Sequence, residues 1–234
     1  MALYAIGDIH GCVLTLDALM ERIEADAGGA LTPDDDVVFV GDYIDRGPDS
    51  PAVLDRMLAL EAASDAGTGP QCTFLRGNHD QMMLDYLEGV GDVDLWWVNG
   101  GRTTLASYEE RGDQTIPKEH ASFLRRTPLA AEGEAFAFVH AGFDTRRTIA
   151  DNLEDPDPSI LLWTRKHLEA DLSNWEIPVV CGHTPVSEPI NDARLIGIDT
   201  GAVFPGRPGL GKMTAVVLPE RRFLSVPTVD VVEG

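Results

Sequence analysis

Three short strings punctuate the first third of this 234-residue chain at nearly even spacing: GDIHG at 7–11, GDYIDRG at 41–47 and GNHD at 77–80. Each follows a short, mostly apolar run: Leu3–Ile6, Val37–Val40 and Cys72–Leu75. Runs of this length, bounded by Gly or polar residues, read as central strands buried on both faces. Between the first two, Leu16, Leu19, Met20 and Ile23 recur at helical spacing, and the pattern stops near Gly28-Gly29. Between the second pair, Val53, Leu54, Met57, Leu58 and Leu60 do the same, stopping near Gly67-Thr68-Gly69. Two β-α-β units result. Right-handed crossovers keep such strands parallel, so the three strings are expected at one carboxyl edge of one sheet.

Residues 81–127 break this rhythm. Met82, Met83, Tyr86 and Leu87, then Leu105 and Tyr108, then Phe123 and Leu124 suggest several short helices. We read a helical insert over about 81–127 that covers part of the cleft, with Trp96-Trp97 serving as packing. After it, Ala135–Val139 leads to HAG (140–142), Val179–Cys181 to GHTP (182–185), and Leu195–Ile198 to DTG (199–201). Met213–Leu218 and Phe223–Val226 suggest a hairpin around Pro219-Glu220-Arg221. This half reads as a second, β-rich sheet packed on the first. Residues 144–158 and 204–212 read as surface loops. The length and an apolar share of 44% fit one core, so a single domain over 1–234 is expected.

The charge balance excludes one class of partner. Thirty-nine acids oppose eighteen bases, for a net charge of −21, and the only lysines are Lys118, Lys166 and Lys212. No basic stripe exists to grip a nucleic-acid backbone, so nucleic acid is not an expected partner. Arg-favouring codon usage with an acidic surface would give this balance. So would adaptation to high internal salt, which stability measured against KCl would reveal. No apolar run approaches membrane-spanning length. A cleaved leader is not expected, because the strand read from Leu3 runs straight into the first string and cleavage would destroy the site. Cys12, Cys72 and Cys181 lack any paired spacing, which fits free thiols in a reducing cytosol; a cytoplasmic protein is expected.

The polar residues at the strand ends carry the chemistry. Asp8 and His10 flank one residue at the end of the first strand, and Asp42, from the next, can bridge two ions. Asn78 offers an amide oxygen at the third edge, and His140 and His183 add imidazole nitrogen. One ion would take Asp8, His10 and Asp42; the other Asp42, Asn78, His140 and His183. Mixed nitrogen and oxygen ligation without thiolate suits Mn, Fe or Zn. Two such ions about 3.5–4 Å apart would generate hydroxide near neutral pH and polarise a phosphoryl oxygen. His120 and His167 read as structural.

The strings GDIHG, GDYIDRG and GNHD, with the later HAG and GHTP, resemble the phosphoprotein phosphatase family of metallophosphoesterases, and short bacterial and phage members in particular. The resemblance runs from about residue 3 to 218. It implies an α/β fold, a four-layer αββα sandwich of two mixed sheets flanked by helices, and two divalent metals, manganese foremost. It implies Arg46 and Arg165, with Asn78, as the groups that bind the substrate phosphate. It implies His79 as the general acid, held by Asp45, and Asp199 as a residue that fixes backbone near the site. The FPGRPGLGK segment after DTG departs from the short members' pattern.

The activity implied is that of a metal-dependent phosphomonoesterase, a Ser/Thr phosphoprotein phosphatase acting on phosphoprotein or phosphopeptide. A symmetrical diadenosine tetraphosphate hydrolase is the alternative enzyme, in which the second Asp of GDxxDRG is typically lost; Asp45 is present here. A metal-free scaffold on the same fold is the non-enzymatic alternative, which retention of all six ligands disfavours.

Overall fold

The computed structural model describes residues 2–232; the outermost residues of the expected 1–234 domain lie outside that range. Leu3–Ile6 (β1), Asp36–Phe39 (β2) and Gln71–Phe74 (β3) pair in parallel. Val13–Ala27 (α1) and Ser50–Asp65 (α2) connect them. Helix α1 stops where Gly28 adopts a left-handed φ of 83°. Helix α2 starts where the Asp49 carboxylate accepts the Ala52 N–H at 2.9 Å and Pro51 occupies the first turn.

The insert consists of Asn78–Glu88 (α3), Val93–Trp96 (α4), a wide π turn over Trp97–Gly101, Arg102–Arg111 (α5) and Lys118–Arg126 (α6). A second sheet holds Ala130–Glu132 (β4), Ala137–Val139 (β5), Val179–Cys181 (β6), Ile190–Asn191 (β7) and Leu195–Gly197 (β8), in the order β4-β5-β6-β8-β7. Its three middle strands are parallel.

The terminal hairpin, Lys212–Leu218 (β9) and Arg222–Pro227 (β10), departs from expectation. It joins the first sheet, giving the order β10-β9-β1-β2-β3, with β9 antiparallel to β1. The cause is the open edge of β1, whose other side is taken by β2. Residues 144–158 also hold more structure than a loop. Ile149–Glu154 (α7), capped by the Thr148 side chain, and the start of Pro158–Trp163 (α8) lie there, because Ile149 and Leu161 close the outer face of the second sheet.

Strand alternation sets the layers. Tyr4, Ile6, Val37 and Phe39 pack on α1 and α2, while Ala5, Val38 and Val40 face Phe138, Val180 and Ile196 of the other sheet. Val139 and Val179 then meet Ile149, Leu161 and Trp175 on the far side. The architecture is the four-layer αββα sandwich. β1 and β2, largely buried on both faces, carry no polar alternation, which is why their runs looked continuous in sequence; β3, expected to be central, is instead the edge strand of its sheet, with Gln71 exposed. All three cysteines are free. No helix among the described residues is long and apolar enough to cross a membrane.

Candidate metal centre

The chain turns sharply as it leaves these strands. Six non-glycine residues among those described have positive φ. Five of them, His10 (47°), Asp42 (55°), Asp45 (74°), Arg46 (69°) and His183 (67°), are sequence-predicted site residues. Each such conformation costs ~1–3 kcal/mol and persists only where its surroundings over-determine it. Here they do. Ile9 and His10 donate backbone N–H groups to the Asp42 carbonyl at 3.1 and 2.9 Å, and Gly11 donates to Tyr43 at 2.9 Å. The buried Asp80 carboxylate accepts N–H groups from Asp42 (2.9 Å), Tyr43 (3.1 Å) and Gly77 (2.8 Å), tying the second string to the third. Sequence reasoning missed Asp80; its place at the end of GNHD, in the first turn of α3, was the available signal. Gly77 has to be glycine, because a Cβ there would meet Asp42 Oδ1 at 2.0 Å.

Two groups of ligating atoms share Asp42: His10, Asp42 and His79, and Asp42, His140 and His183, with the atoms of each within 4.8 Å of one another. Tautomers follow from the carbonyls. His10 Nδ1 lies 2.8 Å from the Ile44 carbonyl and His140 Nδ1 lies 2.9 Å from the Val40 carbonyl. A carbonyl only accepts, so both rings carry the proton on Nδ1. Burial lowers the pKa of both rings, which keeps them neutral. Their Nε2 lone pairs therefore face Asp42 Oδ2, at 3.5 Å for His10 and 3.4 Å for His140. His140 Nε2 also stands 2.9 Å from Asn78 Oδ1, and His183 Nδ1 reaches the same oxygen at 2.9 Å. His140 Nε2, set against Asp42 Oδ2 and Asn78 Oδ1, and His183 Nε2, buried with no partner, are uncompensated until a cation sits among them. The donor set fits two divalent ions.

Asp8 comes to the same edge, but outside both groups. Its two oxygens straddle the His183 backbone N–H at 3.1 Å each, and His79 stands where the sequence reading put Asp8 beside His10 and Asp42. Burial, then the charges of Asp199 and Asp42, push the Asp8 carboxyl well above its usual range. Burial likewise raises Asp199 to about 7, against the Gly201 N–H it accepts at 2.8 Å. Burial pushes His183 down to about 3. Crowded carboxylates beside neutral imidazoles are a further mark of a place that awaits positive charge.

His79 and Asp45 stand together. His79 Nδ1 lies 2.7 Å from Asp45 Oδ2, and its Nε2 faces Asp42 Oδ2 at 4.0 Å. The same Asp45 oxygen accepts the indole N–H of Trp96 at 2.9 Å, and Thr104 Oγ1 donates to the other oxygen at 2.7 Å. Trp96 is thus part of this network as well as of the packing. Arg46 places NH1 2.9 Å from His10 Nε2, and the π turn braces it: a Cβ on Gly100 would meet Arg46 Cγ at 2.7 Å. Arg165 is exposed, and its charge lowers the pKa of His183 and Asp199.

His120 and His167 stay apart from this cluster. His120 is buried between Tyr108, at 2.7 Å, and Asp55, at 3.0 Å. His167 is buried and stacks on Trp175.

Against known families, the calcineurin-like phosphoesterase model matches residues 1–231. The chain belongs to the calcineurin-like phosphoesterase family. The asymmetrical bis(5'-nucleosyl)-tetraphosphatase PrpE of Geobacillus thermodenitrificans is 30% identical over 249 residues, spanning 95% of this chain and 93% of its own. The PrpE of Anoxybacillus flavithermus is 28% identical over the same shares of each chain. A solved protein serine/threonine phosphatase from Saccharomyces cerevisiae superposes with a TM-score of 0.66 at 18% identity, over 100% of this chain and 81% of its own. That identity speaks for the fold alone. As a calcineurin-like phosphoesterase with two His/Asp groups, the chain is built for metal-dependent phosphoester hydrolysis.

Proposed function

We propose that this calcineurin-like phosphoesterase hydrolyses nucleoside polyphosphates of the dinucleoside tetraphosphate class. The observation that carries the reading is the position of Arg46. On one side its guanidinium touches the cage through His10; on the other it lines a cleft of about 680 Å³, space for far more than one phosphate. The asymmetrical tetraphosphatases among the relatives support the same class, whereas the sequence reading had named the symmetrical kind.

Two divalent ions held by Asp42, His10, Asn78, His140, His183 and Asp8 would polarise a phosphoryl oxygen and acidify the attacking water. Arg46, with its planar fork, orients the phosphate, and Arg165 adds charge from the rim. His79 carries a proton on Nε2 to the departing oxygen, while Asp45 accepts from Nδ1–H and holds the ring.

A Ser/Thr phosphoprotein phosphatase is the second reading, favoured by the Asp45–His79 pair. A serine alkoxide leaves poorly without a proton, so an oriented acid serves that substrate best. The manganese-loaded protein assayed on diadenosine tetraphosphate, phosphoserine and phosphotyrosine peptides and p-nitrophenyl phosphate separates the two. We expect kcat/KM for diadenosine tetraphosphate to exceed that for the peptides. The reverse order returns the assignment to protein phosphatase.

A further inference from the structure

The segment that departs from the short members' pattern, 204–212, contributes Phe204, Pro205, Gly206 and Arg207 to one wall of the cleft beside Arg46. It is well tied down. Phe204 N–H donates to Gly201 O at 2.8 Å, Gly211 N–H to the same carbonyl at 3.0 Å, and Arg207 N–H to Phe204 O at 3.0 Å. Thr228, just past β10, holds it from behind, donating its N–H to Gly211 O at 2.9 Å and its hydroxyl to Ala202 O at 2.5 Å. Such a wall is in place before any ligand arrives.

On this wall the Arg207 guanidinium lies 4.2 Å from the Phe204 ring centroid, and Arg46 lies 5.6 Å from it. Neither arginine forms an ion pair among the described residues, in a chain of net charge −21. Arg207 is exposed, so the guanidinium face turned away from Phe204 is open. The facing wall is Val98, Asn99, Gly100 and Thr103, and Val232 contributes to the same cleft. Asn99 spends its amide N–H on Leu95 O at 2.9 Å, leaving its carbonyl oxygen as an acceptor. A planar stack with an open face, an apolar surround and one hydrogen-bond acceptor suits a heteroaromatic ring that carries N–H donors. The guanidinium between this wall and the cage suits the phosphates attached to it.

We propose that this cleft is a nucleobase site: the base of the substrate stacks on Arg207, backed by Phe204, and its phosphates run past Arg46 to the cage. The assignment rests on the nucleoside polyphosphate reading and adds which residues select the nucleoside. An Arg plane stacks on a base as an aromatic ring does, and a lysine cannot replace that plane.

Two ligands test it by calorimetry on the manganese-loaded protein: α,β-methylene-ADP, and methylenediphosphonate, which has the phosphates without the base. The wild type should prefer the nucleotide by about tenfold or more, the size expected of one stacking partner. Arg207→Ala, an exposed position, and Arg207→Lys should both erase most of that preference, and Phe204→Leu should reduce it. With substrates, the ratio of kcat/KM for diadenosine tetraphosphate over p-nitrophenyl phosphate should fall in parallel, through KM. Full preference retained in Arg207→Ala, with the wild type cleaving diadenosine tetraphosphate, overturns the base site and leaves the proposed function standing. A wild type that cleaves only phosphopeptides and does not distinguish the two ligands overturns both.

Discussion

The Trp96 indole N–H donates to Asp45 Oδ2 at 2.9 Å, sharing that oxygen with His79 Nδ1 at 2.7 Å. Both side chains are buried, so the carboxylate has no water to lean on and its orientation is set by these donors and Thr104. Trp96 therefore positions the residue that positions His79. Trp96→Phe keeps most of the ring volume and removes the donor. Stability should drop by about 1.5–3 kcal/mol, the range for a hydrogen bond to a charged group, as read by urea unfolding. kcat should fall while manganese content stays at wild-type level. An unaltered kcat would leave Trp96 as packing only.

His79→Asn isolates the proton-transfer step. General acids contribute about 10²–10⁴-fold, and the loss is greatest where the leaving group is most basic. We expect kcat to drop about 100-fold or more on phosphoserine peptide and much less on p-nitrophenyl phosphate, with both metals retained. Equal losses on the two substrates would argue that His79 serves as a ligand, in keeping with its place beside His10 and Asp42.

Asp42→Asn removes the one carboxylate common to both groups. Metal affinity should fall by more than the roughly 10–100-fold that loss of an outer hydrogen-bond partner costs, and turnover should vanish. Metal analysis after gel filtration reads the first, and manganese-supplemented assays the second. Activity restored by ordinary manganese would contradict a bridging role.

Which parts of this were visible in the chain follows from range. Strands β1, β2 and β3 and helices α1 and α2 were legible because their signals are local: apolar runs of strand length, and helical spacing that stops near Gly28-Gly29 or Gly67-Thr68-Gly69. The convergence of His10, Asp42 and Asn78 followed from parallel strands sharing one edge of the first sheet, while His140 and His183 reach them from β5 and β6 of the second. The placement of β9 was not legible, since which sheet edge a strand takes depends on what else is open. Trp96 misled in part because aromatic burial is the usual outcome, and nothing nearby in sequence marks Asp45 as its partner. Asp80 was masked by its neighbours His79 and Asn78, whose chemistry is louder.

The segment after β10 latches onto α1. Asp230 accepts N–H groups from Leu14 at 3.1 Å and Thr15 at 2.8 Å, and the Thr15 hydroxyl at 2.5 Å. Cys12, at the cap position of α1, offers no side-chain bond, so a residue from the far end of the chain supplies the cap. Asp230→Ala should lower stability by about 0.5–2 kcal/mol, as loss of an N-cap does. Because Val232 lines the cleft, KM should rise more than kcat falls. An unchanged urea midpoint would show that the latch contributes nothing to the fold.

Metal should matter more to stability as pH rises, and the signs are set by the buried groups. In the metal-free fold, Asp199 is raised to about 7 and Asp8 well above its usual range, both mainly by burial. The unfolded chain has released both protons long before pH 7, so the folded state binds more protons and loses stability as pH climbs. His183 works oppositely: lowered to about 3 from 6.5, it makes the fold lose stability as pH falls below 6.5. His10 and His140, also lowered by burial, act the same way, so the carboxyl contribution stands alone only from about one pH unit above 6.5, where the unfolded histidines are neutral too. From about pH 7.5 upward, the melting temperature in EDTA should therefore decline, while the manganese-loaded protein, in which cations offset the buried carboxylates, holds steady. Melting curves at several pH values, with and without EDTA, read the difference directly. A gap between the two forms that does not widen with pH would mean that Asp8 and Asp199 do not keep their protons in the metal-free fold.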